Sequence, residues 1–148
     1  MIVDLMRNDL GRVCSPGSVR VPALTRLEKH AVWQLVSDVV GQLRPQATDR
    51  DLLRATFPPG SVTGAPKVRA MEIIAEIEQA PRGVYCGAIG YIGFNGRTDL
   101  NIAIRTAQFH DGVARVQGGG GITARSQPAA EYEESLTKIK RIMEAFRP

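Results

Sequence analysis

Four consecutive glycines, Gly118, Gly119, Gly120 and Gly121, separate a short, mostly apolar run at residues 113–116 from a helical pattern that begins at Pro128. Glycine loses more backbone freedom on folding than any other residue, so four in succession are costly unless their geometry is used. Without Cβ atoms, their N–H groups stand open to the oxygens of a ligand. The stretch therefore reads as a place where something approaches the main chain.

The helix after Pro128 sharpens that reading. At about 100° per residue, Glu131, Glu134 and Lys138 fall within an arc of roughly 60°. Tyr132, Leu136, Ile139, Met143 and Phe146 occupy the adjacent arc, which places the charges at the edge of an expected buried face. Two carboxylates so placed suit a hard cation such as Mg²⁺, which keeps several waters while bridging protein oxygens to an anion. The plain alternative is a solvated amphipathic helix with an ordinary Glu-to-Lys pair at i,i+4.

Several function classes are disfavoured. Gly119-x-Gly121-x-x-Ala124 satisfies the letter of a dinucleotide-binding pattern, but no second parallel strand with an acidic residue follows the helix. Gly60, Gly64 and Lys67 lack the spacing of a phosphate-binding P-loop. The formal charge of +4 is scattered among acidic residues without a basic tract, so nucleic-acid binding has no support. Cys14 and Cys86 lack metal-ligand spacing and read as buried free thiols in a reducing compartment. The N-terminal residues do not resemble a signal peptide, and no apolar stretch approaches membrane-spanning length. The expectation is a soluble, cytoplasmic chain without a membrane or nucleic-acid partner.

Along the chain, Ile2, Met6 and Leu10 predict a short helix ending at Gly11. Residues 18–24 alternate as a strand, and the valine-rich residues 31–43 read as a second. Thr48 and Asp51 open a helix through Thr56, closed by Phe57-Pro-Pro-Gly60. A loop at residues 61–67 leads into a helix with Pro66 in its first turn and Ala70, Ile73, Ile74 and Ile77 on one face. Residues 83–94, 98–109 and 113–117 read as three strands of an antiparallel meander, with turns at Asn95-Gly96 and Asp111-Gly112. In its middle strand Arg105 would project from a small, polar face, either as a surface residue or as a carboxylate clamp over the glycines. No linker or repeat is apparent, which leaves one domain or part of one.

Four ordered motifs then carry a family resemblance. They are Met1-Ile-Val-Asp-Leu-Met-Arg-Asn-Asp-Leu-Gly-Arg12, Gly60-Ser-Val-Thr-Gly-Ala-Pro-Lys-Val-Arg-Ala-Met-Glu-Ile-Ile74, Asp99-Leu-Asn-Ile-Ala-Ile-Arg-Thr106, and Gly118-Gly-Gly-Gly-Ile122 with Glu131-Tyr-Glu-Glu134. The whole chain resembles the chorismate-utilising enzymes, a group that includes aminodeoxychorismate synthase component I and anthranilate synthase component I. The Gly-Ser-Val-Thr-Gly and Gly-Gly-Gly-Ile forms look most like the former.

The resemblance implies an α+β fold, the C-terminal portion of the anthranilate synthase component I-like architecture, with antiparallel sheets and flanking helices. It implies a partial chorismate-binding domain over residues 1–148, with the lysine nucleophile, the general acid and the remaining metal ligand in a segment before Met1. The implied reaction converts chorismate and ammonia to aminodeoxychorismate on the folate and p-aminobenzoate route. A glutamine amidotransferase subunit would deliver the ammonia. The alternatives are a part of an anthranilate synthase, or a non-catalytic module. By the same resemblance Glu134 would bind Mg²⁺, with Glu131 near the metal through water. Arg105, Tyr85 and Lys138 would hold substrate carboxylates, Gly119 and Gly121 would give backbone contacts, and Ser61 would lie beside the ring. Gln34 falls where several members have an active-site histidine and some aminodeoxychorismate synthases have glutamine, whereas Arg125 stands where aspartate is common. No catalytic residue proper is assigned, and the chain by itself is expected to be inactive and poorly stable.

Overall fold

A computed structural model describes residues 1–29 and 33–146. The chain divides into two compact units, Met1–Ile77 and Glu78–Pro148, although no linker marks the division in the sequence.

In the first unit, helix α1 (Ile2–Gly11) is followed by strands β1 (Arg20–Lys29) and β2 (Trp33–Val40), helix α2 (Asp49–Thr56), a 3-10 turn (Gly60–Val62) and helix α3 (Lys67–Ile77). Val13, Cys14 and Ala55 form its buried core, with Leu10, Val19, Leu43, Ala47 and Leu52 packed around them. Gly41 permits this packing, because a Cβ there would sit 2.6 Å from Cys14 Sγ. Beyond α1, the Arg44 guanidinium donates to the carbonyls of Arg12 (2.7 Å) and Cys14 (3.2 Å), tying the end of the helix to the segment after β2. Thr48 and Asp51, expected to open α2, form a capping box, with Thr48 Oγ1 accepting from the Asp51 amide and Asp51 accepting from the Thr48 amide. That hydroxyl also donates to the Asp51 carboxylate, holding it below the usual carboxylate range.

The first hairpin differs from expectation. β1 runs to Lys29 rather than ending at Leu24, because a bulge interrupts its alternation. There Thr25 takes φ 57 and its amide donates to Ser37 Oγ. β2 stops at Val40, before the close approach at Gly41, and the expected start at Ala31 lies outside the described residues.

The second unit contains β3 (Ala88–Ile92), β4 (Thr98–Ile102), β5 (Ala107–His110), β6 (Val113–Val116) and helix α4 (Pro128–Glu144). Among the described residues β3 pairs only with β4 and β5 only with β6, so the expected three-stranded meander is two separate hairpins. The middle strand breaks after Ile102. Ala103 still bonds to Cys86 and Gly87, and then the backbone turns through Arg105 at φ 51 before β5 begins. Arg105 therefore lies in a bend and has no strand face. At the β5–β6 turn Asp111 and Gly112 both have positive φ, the conformation the Asp-Gly pair predicts.

The apolar arc of α4 was expected to be buried, yet Tyr132 is 63% exposed and Leu136, Met143 and Phe146 are also open. Within this unit α4 packs on β6 and the glycine segment, where Gly118 rests on Ile139, and just past the helix the Phe146 ring stands 5.8 Å from that of Phe109. Ile73 and Ile77 on α3 are similarly exposed.

Each unit holds one buried thiol, Cys14 at 2% exposure and Cys86 at 8%, and burial pushes Cys86 above the usual thiol range. Both cysteines should resist a thiol-specific disulfide reagent in the folded chain and react only as their own unit unfolds. Rapid modification of either one without denaturant would contradict this burial.

Candidate functional site

The glycine segment and one face of α4 form the site. Lys138 Nζ lies 2.6 Å from Glu134 Oε1, one helical turn away, and donates to the Gly119 carbonyl at 3.1 Å. A Cβ on Gly120 would stand 3.1 Å from Glu131 Oε2 and 3.6 Å from Lys138 Nζ, so both side chains lie against the bare backbone there. At Gly119 the same construction comes within 3.0 Å of Tyr85 Oη. Gly118 is pressed closer still, its missing Cβ position 2.6 Å from Ile139 Cγ2 and 3.0 Å from the Ser135 carbonyl oxygen. The glycines are used to seat the loop on the helix, and that seating gathers Tyr85, Glu131, Glu134 and Lys138.

Tyr85 is itself supported. Glu78 binds Arg82 through two contacts, at 2.9 and 2.7 Å, and the guanidinium stands 5.9 Å from the Tyr85 ring centroid. Burial first, then the adjacent Cys86, pushes the phenol up to about 12. It therefore remains an O–H donor at neutral pH. Glu78 and Arg82 were missed in the sequence, although their i,i+4 spacing just before Tyr85 was a usable sign.

Of the remaining expected residues, Gly121 continues the glycine segment, and exposed Arg105 makes no hydrogen bond or ion pair among the described residues. Gln34 and Ser61 belong to the first unit. Gln34 lies on β2 opposite Glu28, and Ser61 lies half-buried in the 3-10 turn.

A buried ion pair was also missed. Lys67 Nζ and Asp9 Oδ1 are 2.9 Å apart with side chains only 10% and 3% exposed. Asp9 Oδ2 accepts from the Gly60 amide at 2.9 Å, and Lys67 donates to the Ala55 carbonyl at 3.1 Å. α1, α2 and α3 are thereby fastened around the turn that carries Ser61. The sign in the sequence was an aspartate on the apolar side of α1, in line with Ile2, Leu5 and Met6.

Chemically, the second-unit site offers an ammonium, a neutral phenol and uncovered main chain on one hand, and two carboxylates on the other. Among the described residues no three His, Cys, Asp or Glu side chains come together as a metal site. Glu131 and Glu134 fit Mg²⁺ as hard oxygen donors, since that ion commonly takes one or two protein carboxylates and retains water.

The family model for chorismate binding enzyme matches residues 1–144, and the chain belongs to that family. It is 55% identical over 144 residues to aminodeoxychorismate synthase component 1 of Klebsiella aerogenes, which spans 97% of this chain and 32% of that relative. It is 53% identical over 147 residues to anthranilate synthase component 1 of Aquifex aeolicus (strain VF5), covering 99% of this chain and 30% of the relative. The crystal structure of anthranilate synthase component I from Streptococcus pneumoniae TIGR4 matches with a TM-score of 0.86 and 48% identity, over 95% of this chain and 32% of that one. The α+β fold is thus that of anthranilate synthase component I over about a third of the latter's length. Among the described residues no helix is long and apolar enough to cross a membrane.

Proposed function

We propose that this chain forms part of a chorismate-aminating synthase, in which ammonia from a glutamine amidotransferase partner replaces the chorismate hydroxyl to give aminodeoxychorismate. The observation that carries the reading is the convergence of Lys138, Tyr85, Glu131 and Glu134 on the Gly119 and Gly120 backbone. A dicarboxylate needs cationic and N–H donors, and in this reading Lys138, Arg105, Tyr85 and the amides of Gly119 and Gly121 provide them. Glu134, with Glu131 beside it, would hold Mg²⁺, which when bound would neutralise a substrate carboxylate. Exposed apolar residues on α3, β3 and α4 support action within a larger assembly that covers them.

The choice of amination over anthranilate formation rests on Gly60-Ser-Val-Thr-Gly64 and Gly118-Gly-Gly-Gly-Ile122, because relatives of both kinds are about equally similar. Product analysis of the active assembly with chorismate, ammonia and Mg²⁺ decides it. Aminodeoxychorismate without pyruvate is expected, whereas anthranilate with pyruvate would move the chain to the other branch.

Arg105 tests the substrate side. Lysine keeps the charge but loses the planar fork that grips a carboxylate through two parallel bonds. Arg105→Lys is expected to lower kcat/KM on the order of thirtyfold, about 2 kcal/mol of transition-state stabilisation, with little change in folding stability. Steady-state kinetics indistinguishable from wild type would make it a surface arginine.

A further inference from the structure

We propose that Lys138 is a resident cation that competes with a divalent metal ion for Glu134, so that metal entry releases the lysine toward an anionic ligand. The inference rests on the assignment of Glu134 as a metal-binding carboxylate. Lys138 Nζ is 2.6 Å from Glu134 Oε1, within the range of a direct charge-assisted hydrogen bond. A metal ion taking Glu134 must displace that ammonium or lie a few ångströms from it, and like charges at such separation repel. Displacement is feasible because the pair is open to water, with Glu134 56% and Lys138 31% exposed.

The second contact gives the lysine somewhere to stay. Its bond to the Gly119 carbonyl at 3.1 Å tethers Nζ to the glycine segment, and the Gly120 backbone with Glu131 is close by. A lysine freed from Glu134 remains over the bare main chain with one carboxylate fewer to balance its charge. An anion arriving there meets a better partner after the metal has bound than before it. By linkage, the anion then favours the metal to the same degree.

The test uses Mn²⁺ as a paramagnetic probe on the isotopically labelled chain, following broadening of the Glu131, Glu134 and Gly120 amides. Lys138→Met keeps the apolar stem and removes the charge. It should bind Mn²⁺ roughly twofold tighter than wild type, the scale of one exposed i,i+4 ion pair removed. Lys138→Arg should stay near wild type, and Glu134→Gln should lose the local broadening. Unchanged or weaker binding in Lys138→Met overturns the proposal, since a lysine that merely orients Glu134 predicts that result. If Mn²⁺ leaves these amides of the wild-type chain untouched, the metal assignment itself fails, and the competition with it. Protection of the Cys86 thiol reports in each variant that the second unit is folded.

Discussion

Asp9→Ala should cost the first unit about 3–5 kcal/mol, the penalty for leaving one member of a buried ion pair without its partner. The loss is compound, because Lys67 keeps its charge at 10% exposure while the Gly60 amide loses its acceptor. The urea midpoint for exposure of the Cys14 thiol should fall accordingly, and this probe reads the first unit alone. A drop of well under about 1 kcal/mol would mean that water, not the protein, satisfies Lys67. Asp9→Leu combined with Lys67→Met should recover most of the loss, as apolar replacements of buried pairs commonly do. The Ser61 turn would then lose its hydrogen bond to α1 while keeping those within itself.

Gly118→Val is expected to unseat the glycine segment of the second unit. Its Cβ would meet Ile139 Cγ2 at 2.6 Å, where a rotamer change offers some relief, and the Ser135 carbonyl oxygen at 3.0 Å, where backbone offers little. The glycine segment must lift from α4, at about 1–3 kcal/mol, and the Lys138 bond to Gly119 lengthens or breaks with it. Thiol protection at Cys86 measures the first effect, and amide shifts across residues 118–121 measure the second. Gly11→Ala is the fitting control, since nothing lies within 4 Å of a Cβ there and the position ends α1. An undisturbed glycine segment in Gly118→Val would refute the close seating described above.

Much of the helical structure was legible in the sequence because its signals are local. Thr48 with Asp51 marks a capping box, Pro128 a first turn and Gly11 the end of α1, and each lies where the pattern places it. The site on α4 was legible for the same reason, as helical spacing alone aligns Glu131, Glu134 and Lys138. What escaped was set by tertiary contacts. Large apolar side chains continue to alternate from Leu100 through Ile104, and no glycine or proline warns of a bend. Pairing of Ala103 with Cys86 and Gly87 nevertheless uses up the ladder there, and the chain turns at Arg105. The bulge at Thr25 is equally unannounced. The ion pair of Asp9 and Lys67 joins residues far apart in the chain, beyond the reach of any periodicity. The apolar arc of α4 was read correctly as apolar, but a two-stranded hairpin and a glycine segment are too small to cover it.

The central claim is that the glycine segment and α4 together receive chorismate, and a titration of chorismate into the isotopically labelled chain in the presence of Mg²⁺ tests it most directly. The account predicts saturable amide shifts at Gly119, Gly120 and Gly121, with Tyr85 and Lys138 moving at the same ligand concentration. Amides at these positions that stay unperturbed by excess chorismate, in a chain whose Cys86 is still protected, would contradict it.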